Sequence, residues 1–447
     1  MKIVLPSAVQ MLLDMLTASG YEAYVVGGCV RDSLLGMEPK DWDLSTDARP
    51  EEILAVFSGL PTLETGIKHG TIGVITSGIN YEITTYRSDG TYSDKRHPDS
   101  VSYVRDLKED LSRRDFTINA MAYNEKNGLV DYFNGQEDLQ KKRIRCVGNA
   151  AMRFEEDALR ILRALRFASS YGFLIEPDTE AALREKKELL IHVSAERIRE
   201  EFNQLLLGDN AEAVLTNYAD VISVFVPEIS CTIGYDQHNP YHVYDVWQHT
   251  VKAIASAEKN SIVRLALFLH DLQKPFCASK DQGHFYGHGS LGAEKAQIVL
   301  NRLRYDKCTI QRVTRLILYH DMMLRPEKKF IKRWLNKLGE EELRMLLQLK
   351  RADAKAQNPQ FLQERLLKLD AIEEVLEKII KDEECFSLKD LAVTGRDLLQ
   401  SGYEEGKKIG ETLDVLLEMV IEEKVQNEKE YLLKEVKKIY EKENEKR

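Results

Sequence analysis

The chain has 447 residues, 30% of them charged and 43% hydrophobic, with a formal net charge of -10. That length exceeds one ordinary domain, so about two to four folding units are expected. Six cysteines without a Cys-x-x-Cys pair, no secretory signal and no long apolar run exclude a disulfide scaffold and a membrane protein, and predict a cytoplasmic location in a reducing environment. An acidic total does not exclude nucleic acid, because phosphate contacts need only local basic patches. Lys141, Lys142, Arg143 and Arg145 form one such patch, and Lys328, Lys329, Lys332 and Arg333 another.

In chain order, residues 22–26 read as a short buried strand, Gly27-Gly28 as a tight turn, and residues 29–35 as a helix whose first free amides suit a triphosphate. Asp41-Trp42-Asp43 then sets two carboxylates two residues apart, and in a strand such residues project to one face. Hard cations take oxygen ligands, so Asp41 and Asp43 can share one or two Mg2+ ions that activate an attacking hydroxyl and neutralise a leaving pyrophosphate. Residues 71–76 and 81–86 read as further strands of a mixed sheet. The polar stretch 86–115, with Arg87-Ser88-Asp89-Gly90 and Asp94-Lys95-Arg96-His97-Pro98, reads as a mobile loop.

Beyond residue 145 helical periodicity takes over: residues 154–171, 194–207 and 211–218 read as packed helices, and 227–240 as a linker rich in turn residues. Asp157 and Arg160 fall on neighbouring parts of one helix face. Arginine offers fixed donors and aspartate accepts from an exocyclic amine, so the pair can read the Watson-Crick edges of C and A against U and G. Arg163 and Arg166 follow, each step drifting roughly 60° around the helix. Downstream, His249, His270, Asp271, His288 and His320 recur in a helical region, with Asp353 or Asp321 as a closing carboxylate. Such ligands from several helices can converge on a divalent transition metal and acidify a water for phosphoester hydrolysis. Gly402, Gly406 and Gly410 recur at four-residue spacing, which on a helix permits close approach of another helix or an RNA backbone. Residues 427–447 read as a charged helix.

Four ordered segments carry a family resemblance: Val25-Val26-Gly27-Gly28-Cys29-Val30-Arg31-Asp32 with Asp41-Trp42-Asp43, then Arg113-Arg114-Asp115-Phe116-Thr117-Ile118-Asn119-Ala120, Asp131 to Leu139, and Glu156 to Phe167. Together they resemble the class II tRNA nucleotidyltransferase and bacterial poly(A) polymerase family, a branch of the DNA polymerase beta-like nucleotidyltransferases. Further on, Leu269-His270-Asp271-Leu272-Gln273-Lys274 and Gly287-His288-Gly289 resemble the HD phosphohydrolase family, with Gln273 standing where glycine is usual.

The resemblance implies an α+β fold: a nucleotidyltransferase head with a mixed sheet over 1–145, an all-α neck over 146–226 that selects nucleotide and binds RNA, an HD domain over 241–358, and a helical tRNA-binding tail over 359–447. It assigns Asp41 and Asp43 to catalysis with Mg2+, and Gly28, Arg31, Arg114, Asp157, Arg160, Arg163 and Arg166 to the nucleotide. Asp115 and Asn119 fall to the ribose. His249, His270, Asp271, His288, His320 and Asp353 are the implied ligands of a transition metal. In the family the loop before Arg113 is needed for adding the terminal adenosine. The implied activity is template-independent addition of CCA to tRNA from CTP and ATP, with no membrane and no obligatory protein partner. An A-adding enzyme, a poly(A) polymerase and a metal phosphohydrolase acting through the HD half are the alternatives.

Overall fold

The computed structural model describes residues 2–90, 101–277, 284–404 and 406–444. The Asp94 to Pro98 part of the expected loop lies outside them. The chain divides into two compact units, Met1–Pro227 and Glu228–Arg447.

The first unit is α+β. Its strands are β1 (Ala23–Val26), β2 (Asp43–Thr46), β3 (Thr62–Leu63), β4 (Thr71–Thr76), β5 (Ile79–Thr85), β6 (Arg87–Asp89), β7 (Val101–Tyr103), β8 (Met121–Asn124) and β9 (Gly128–Asp131), with the short parallel pair β10 (Arg143–Ile144) and β11 (Leu174–Ile175) apart from the rest. Seven of them form one mixed sheet in the order β3-β4-β5-β2-β1-β8-β9, while β6 and β7 pair separately. Within it β2 runs antiparallel to β1 and parallel to β5. All four residues of β1 are buried, as befits a central strand covered by helix α1 (Ser7–Ala18), which buries Val9, Leu12, Leu13 and Leu16.

One expectation needs correcting at this sheet. β2 begins at Asp43, paired with Val26, so Asp41 precedes the strand and does not share its face by pleat alternation. On the β1 side the ladder stops there because the next residue of the partner, Gly27, adopts φ 78° and ψ -126° and turns the chain into helix α2 (Gly28–Leu34).

The remaining helices of this unit are α3 (Pro50–Val56), α4 (Leu107–Ser112), α5 (Gly135–Gln140), α6 (Ala150–Glu156), α7 (Leu159–Tyr171), α8 (Pro177–Lys186), α9 (Ala195–Leu207), α10 (Ala211–Asn217) and α11 (Ala219–Ile222). The single helix expected over 154–171 is therefore two. Asp157 takes an extended backbone, φ -143° and ψ 102°, and its Oδ1 accepts the N–H of Leu159 that would otherwise be an unpaired donor at the start of α7. Asp157 and Arg160 consequently do not share one helix face. α7 and α9 pack side by side, joined where Ser169 Oγ donates to the Leu205 carbonyl at 2.6 Å.

The second unit is helical: α12 (Val246–Ser256), α13 (Ser261–Leu269), α14 (His288–Arg302), α15 (Lys307–Tyr319), α16 (Lys328–Leu338), α17 (Glu340–Lys355), α18 (Leu362–Lys381), α19 (Gly395–Gln400), α20 (Lys407–Ile421) and α21 (Lys429–Asn444). Residues 228–240, expected as linker, are packed into this unit, with Ile229, Thr232 and Gln237 buried and Gln237 Oε1 accepting from Lys274. The basic run at 328–333 is consumed by ion pairs: Lys328 and Lys332 with Glu384, Lys329 with Glu423, and Arg333 with Glu418 and Glu422. In the other run Lys141 pairs with Glu137 and Arg145 with Asp138. Gly402 and Gly406 have φ of 98° and 150° and lie between α19 and α20, and only Gly410 falls inside α20, so the three do not form one helix face. A small core of Leu391, Leu398, Leu416, Leu432 and Val436 closes this end of the chain. Among the described residues no helix is long and apolar enough to cross a membrane.

Candidate active site

In the first unit, Gly27, Gly28, Arg31, Asp43, Arg114, Asp115, Asp157, Arg160, Arg163 and Arg166 line one cleft of about 460 Å³. Asp43 also lines a second hollow with Asp41, Trp42 and Glu82. The two carboxylates are exposed, and Glu82 on β5, one residue before the Ile83 that pairs with Leu44, adds a third. Although exposed, Asp43 sits in enough protein for desolvation to push its carboxyl up; Arg114 pulls it back, while Glu82 and Asp41 add repulsion. Glu82 was not singled out from the sequence, where it is one polar residue in an alternating strand.

The arginines divide by how far the protein has already engaged them. Arg31, 7% exposed, donates to Asn119 Oδ1 at 2.6 Å and to Asp32, and stacks over Phe167 and Tyr171. Arg160 donates to Glu156 and to the carbonyls of Arg153 and Arg113. Arg163 grips Asp115 Oδ2 at 2.7–2.8 Å and reaches Glu201 at 3.4 Å, and Arg166 pairs with the same Glu201 while lying 4.2 Å over Phe167. Arg114 differs: its Nε is buried without a hydrogen-bond partner, and its nearest carboxylate contact is Asp110 at 3.8 Å. Gly27 makes room for it, since a Cβ there would stand 2.7 Å from Arg114 Nη1.

Asp115 is a structural anchor of the cleft. Burial pushes its carboxyl up, but Arg163, Asn119 and Arg160 outweigh that and hold it down at about 2. Its oxygens accept from Asn119, from Arg163 and from the N–H of Phe116. Asp157 is held by Arg197 on α9, Nη1 to Oδ1 at 3.1 Å and Nη2 to Oδ2 at 2.7 Å. Neither Arg197 nor Glu201 stands out in the sequence. Their partners lie 35 to 40 residues away, and each reads as one charge on the polar side of an amphipathic helix.

The second unit brings its six singled-out residues together. His249 Nε2 lies 2.9 Å from Asp353 Oδ1 and 3.5 Å from Asp271, His270 Nε2 lies 3.1 Å from Asp271, and His288 and His320 face each other at 3.0 Å and stand 3.7 Å from Asp271. Asp353 and not Asp321 closes the cluster; Asp321 is exposed on the rim of the adjoining pocket. Each histidine has its Nδ1 against a backbone carbonyl: Ala356, Leu267, Phe285 and Ile317 respectively. That contact occupies Nδ1 and leaves Nε2 facing inward. His249 Nε2, His270 Nε2 and both oxygens of Asp271 are buried, and their polar contacts are with one another, Asp353 and Lys274 rather than in well-aligned hydrogen bonds. Burial lowers His270, yet Asp271 and Asp353 overcome it and push the imidazole up to about 10, the signature of a centre that favours positive charge. Lys274, 2.7 Å from Asp271, and His242, edge-on to His249, complete the surroundings.

Comparison with known proteins places these geometries. Residues 23–145 match the poly A polymerase head domain, 172–229 the probable RNA and SrmB-binding site of polymerase A, and 287–436 the second domain of tRNA nucleotidyltransferases. The CCA-adding enzyme of Lacticaseibacillus paracasei is 46% identical over 220 residues, 49% of this chain and 55% of that protein; that of Leuconostoc citreum is 51% identical over 207 residues, 46% and 51%. The match thus spans about half the length of these curated relatives. The structure of the Bacillus stearothermophilus CCA-adding enzyme in complex with CTP superposes with a TM-score of 0.72 at 27% identity, covering 99% of this chain and 100% of that one. The Thermotoga maritima CCA-adding enzyme complexed with tRNA shares the fold, with a TM-score of 0.60 at 22% identity over 97% and 96% of the two chains.

Proposed function

We propose, for a chain that belongs to the tRNA nucleotidyltransferase and poly(A) polymerase family, that its activity is template-independent addition of CCA to tRNA 3′ ends from CTP and ATP. The observation that carries this reading is the gathering of Asp43, Gly27-Gly28, Arg114 and Asp157 around one cleft. The terminal ribose hydroxyl attacks the α-phosphate of the nucleotide and pyrophosphate leaves. Arg114, whose donors the protein leaves least engaged, binds the triphosphate, and Gly27 keeps its approach open. Arg31, Arg163 and Arg166, already tied down, present fixed positive charge at no reorganisation cost. Asp157 and Arg160 read the base.

Asp41 and Asp43 would hold Mg2+. The donor set fits, because it offers only oxygen and because the mutual repulsion of Asp41, Asp43 and Glu82 is relieved by a cation. Bound there, such an ion would lower the pKa of the attacking hydroxyl and neutralise charge on the phosphates.

The buried, inward-facing atoms of the histidine cluster support a second reading for the other unit. His249, His270, Asp271, His288, His320 and Asp353 would hold a divalent transition metal, which supplies an acidified water for phosphoester hydrolysis. Lys274, buried beside the cluster, offers a cation to an incoming phosphate.

The test is extension of tRNA transcripts ending at the discriminator base, at C and at CC, with CTP, ATP or both. Growth of all three to CCA is the expected result. Extension of the CC form alone by one A means an A-adding enzyme, and long A-tails mean a poly(A) polymerase. Metal content of the purified protein and hydrolysis of a bis-ester phosphate test the second reading.

A further inference from the structure

We infer that Arg197, on α9, is a specificity-determining residue: by forking onto both oxygens of Asp157 it fixes the carboxylate that distinguishes amine-bearing from carbonyl-bearing bases. The inference rests on the nucleotide-adding reading above.

The break between α6 and α7 takes Asp157 off the regular helix, so neither helix sets the direction of its side chain. Two contacts do. Oδ1 takes the Leu159 N–H at 3.1 Å and Arg197 Nη1 at 3.1 Å; Oδ2 takes Arg197 Nη2 at 2.7 Å. A carboxylate oxygen has room for two donors, so this arrangement fills Oδ1 and leaves Oδ2 an acceptor position on a residue that lines the cleft. The 4-amine of cytosine and the 6-amine of adenine can donate to it. Uracil and guanine present a carbonyl oxygen at the equivalent position, and two acceptors facing each other are repelled.

Such discrimination requires a carboxylate that cannot rotate away or swing to let in a water. A guanidinium fork imposes that constraint through two parallel charge-assisted bonds, and an ammonium cannot. Both partners are mostly shielded, their side chains 22% and 16% exposed. α9 is itself anchored by Ile198, Phe202, Leu205 and Leu206, all buried, and one turn beyond Arg197 it carries Glu201, which ties Arg163 and Arg166. One helix face therefore positions both the base-reading carboxylate and the cations beside it.

The experiment compares the unaltered protein with Arg197→Lys and Arg197→Ala in single-nucleotide extension of tRNA by CTP, ATP, UTP and GTP, together with equilibrium binding of each nucleotide and the thermal midpoint. Both variants are expected to keep the midpoint, to raise KM for CTP and ATP by roughly tenfold with a smaller change in kcat, and to lose roughly tenfold in preference over UTP and GTP. Arg197→Lys keeps the charge without the fork, so loss of discrimination in that variant supports the inference even if Arg197→Ala fails to fold. A uniform loss across all four nucleotides, with the preference intact, makes Arg197 a structural residue only and overturns the inference. Absence of any extension by the unaltered protein overturns the nucleotide-adding reading, and with it this one; the first result leaves that reading standing.

Discussion

In the first unit Asp41 and Asp43 stand exposed beside a cleft walled by arginines, whereas in the second His249, His270 and Asp271 lie buried with their ligand atoms aimed at one another. Both arrangements suit phosphate chemistry, but they solve different problems. On the nucleotide-adding reading, an open site would have to admit and release a nucleotide and an RNA end at every cycle, which suits carboxylates that stay wet and cations held in place by acids behind them. The histidine centre keeps its ligand atoms out of water, where polar groups are costly, and offsets that cost in part by the contacts of Asp271 and Asp353 with the imidazoles and Lys274; a bound cation would offset more. On the proposed readings, exposure separates a site that would turn over its contents from one that would retain them.

The largest effect that tests this contrast is expected from Asp43→Asn. Nucleotide addition should fall about 10³-fold, as when a principal charge-stabilising group is lost, with no change in thermal midpoint or in metal held by the second unit. Activity that survives the change would remove Asp43 from the reaction. Gly27→Ala should come next: the new Cβ meets Arg114 2.7 Å away on a backbone at φ 78°, and addition should drop roughly 10²-fold through displacement of that arginine. Steady-state kinetics with CTP will show whether the loss falls in KM, as a triphosphate contact requires.

Conversely, His270→Ala should cut metal retained after dialysis by at least about tenfold while leaving nucleotide addition within about twofold. A matching fall in nucleotide addition would mean that the two sites are not independent. The smallest effect concerns Asp115, held at about 2 against an ordinary 3.8. A depressed carboxyl contributes stability above the unfolded value and loses it as pH falls through the folded one. The stability gap between the unaltered protein and Asp115→Asn, about 2 kcal/mol at neutral pH, should therefore shrink as pH drops from about 4 to about 2. Denaturant titrations across that range measure it.

The grouping of both candidate sites was legible because motifs in a fixed chain order narrow the chemistry further than residue type does. Paired aspartates or a Gly-Gly turn alone are ordinary turn residues, and it is their order with Arg113-Arg114-Asp115 and Glu156 to Phe167 that points to one cleft. The misreadings have a common physical origin. Apolar periodicity runs unbroken across residues 154–171, with neither glycine nor proline at 157, so nothing local announces that side-chain bonds from Leu159 and Arg197 stabilise an extended residue there. The same holds for the run at 328–333, which looks like a phosphate-binding patch until Glu384, Glu418, Glu422 and Glu423 are found against it. Gln237 reads as linker and is buried because Lys274 needs an acceptor. Long-range charge pairing is what the one-dimensional pattern omits.

The joint at Asp157 has a consequence for how nucleotide choice can evolve. The carboxylate oxygen that takes one prong of the Arg197 fork, Oδ1, also closes off the first N–H of α7, a local duty worth about 1 kcal/mol that short oxygen-bearing side chains perform. Substitutions that would invert base preference must keep this fastening or let the helix start fray. Asparagine retains the fastening oxygen but turns an amide nitrogen toward Arg197 Nη2, donor against donor, so on the reading proposed above a change of preference at 157 would need a matching change at 197.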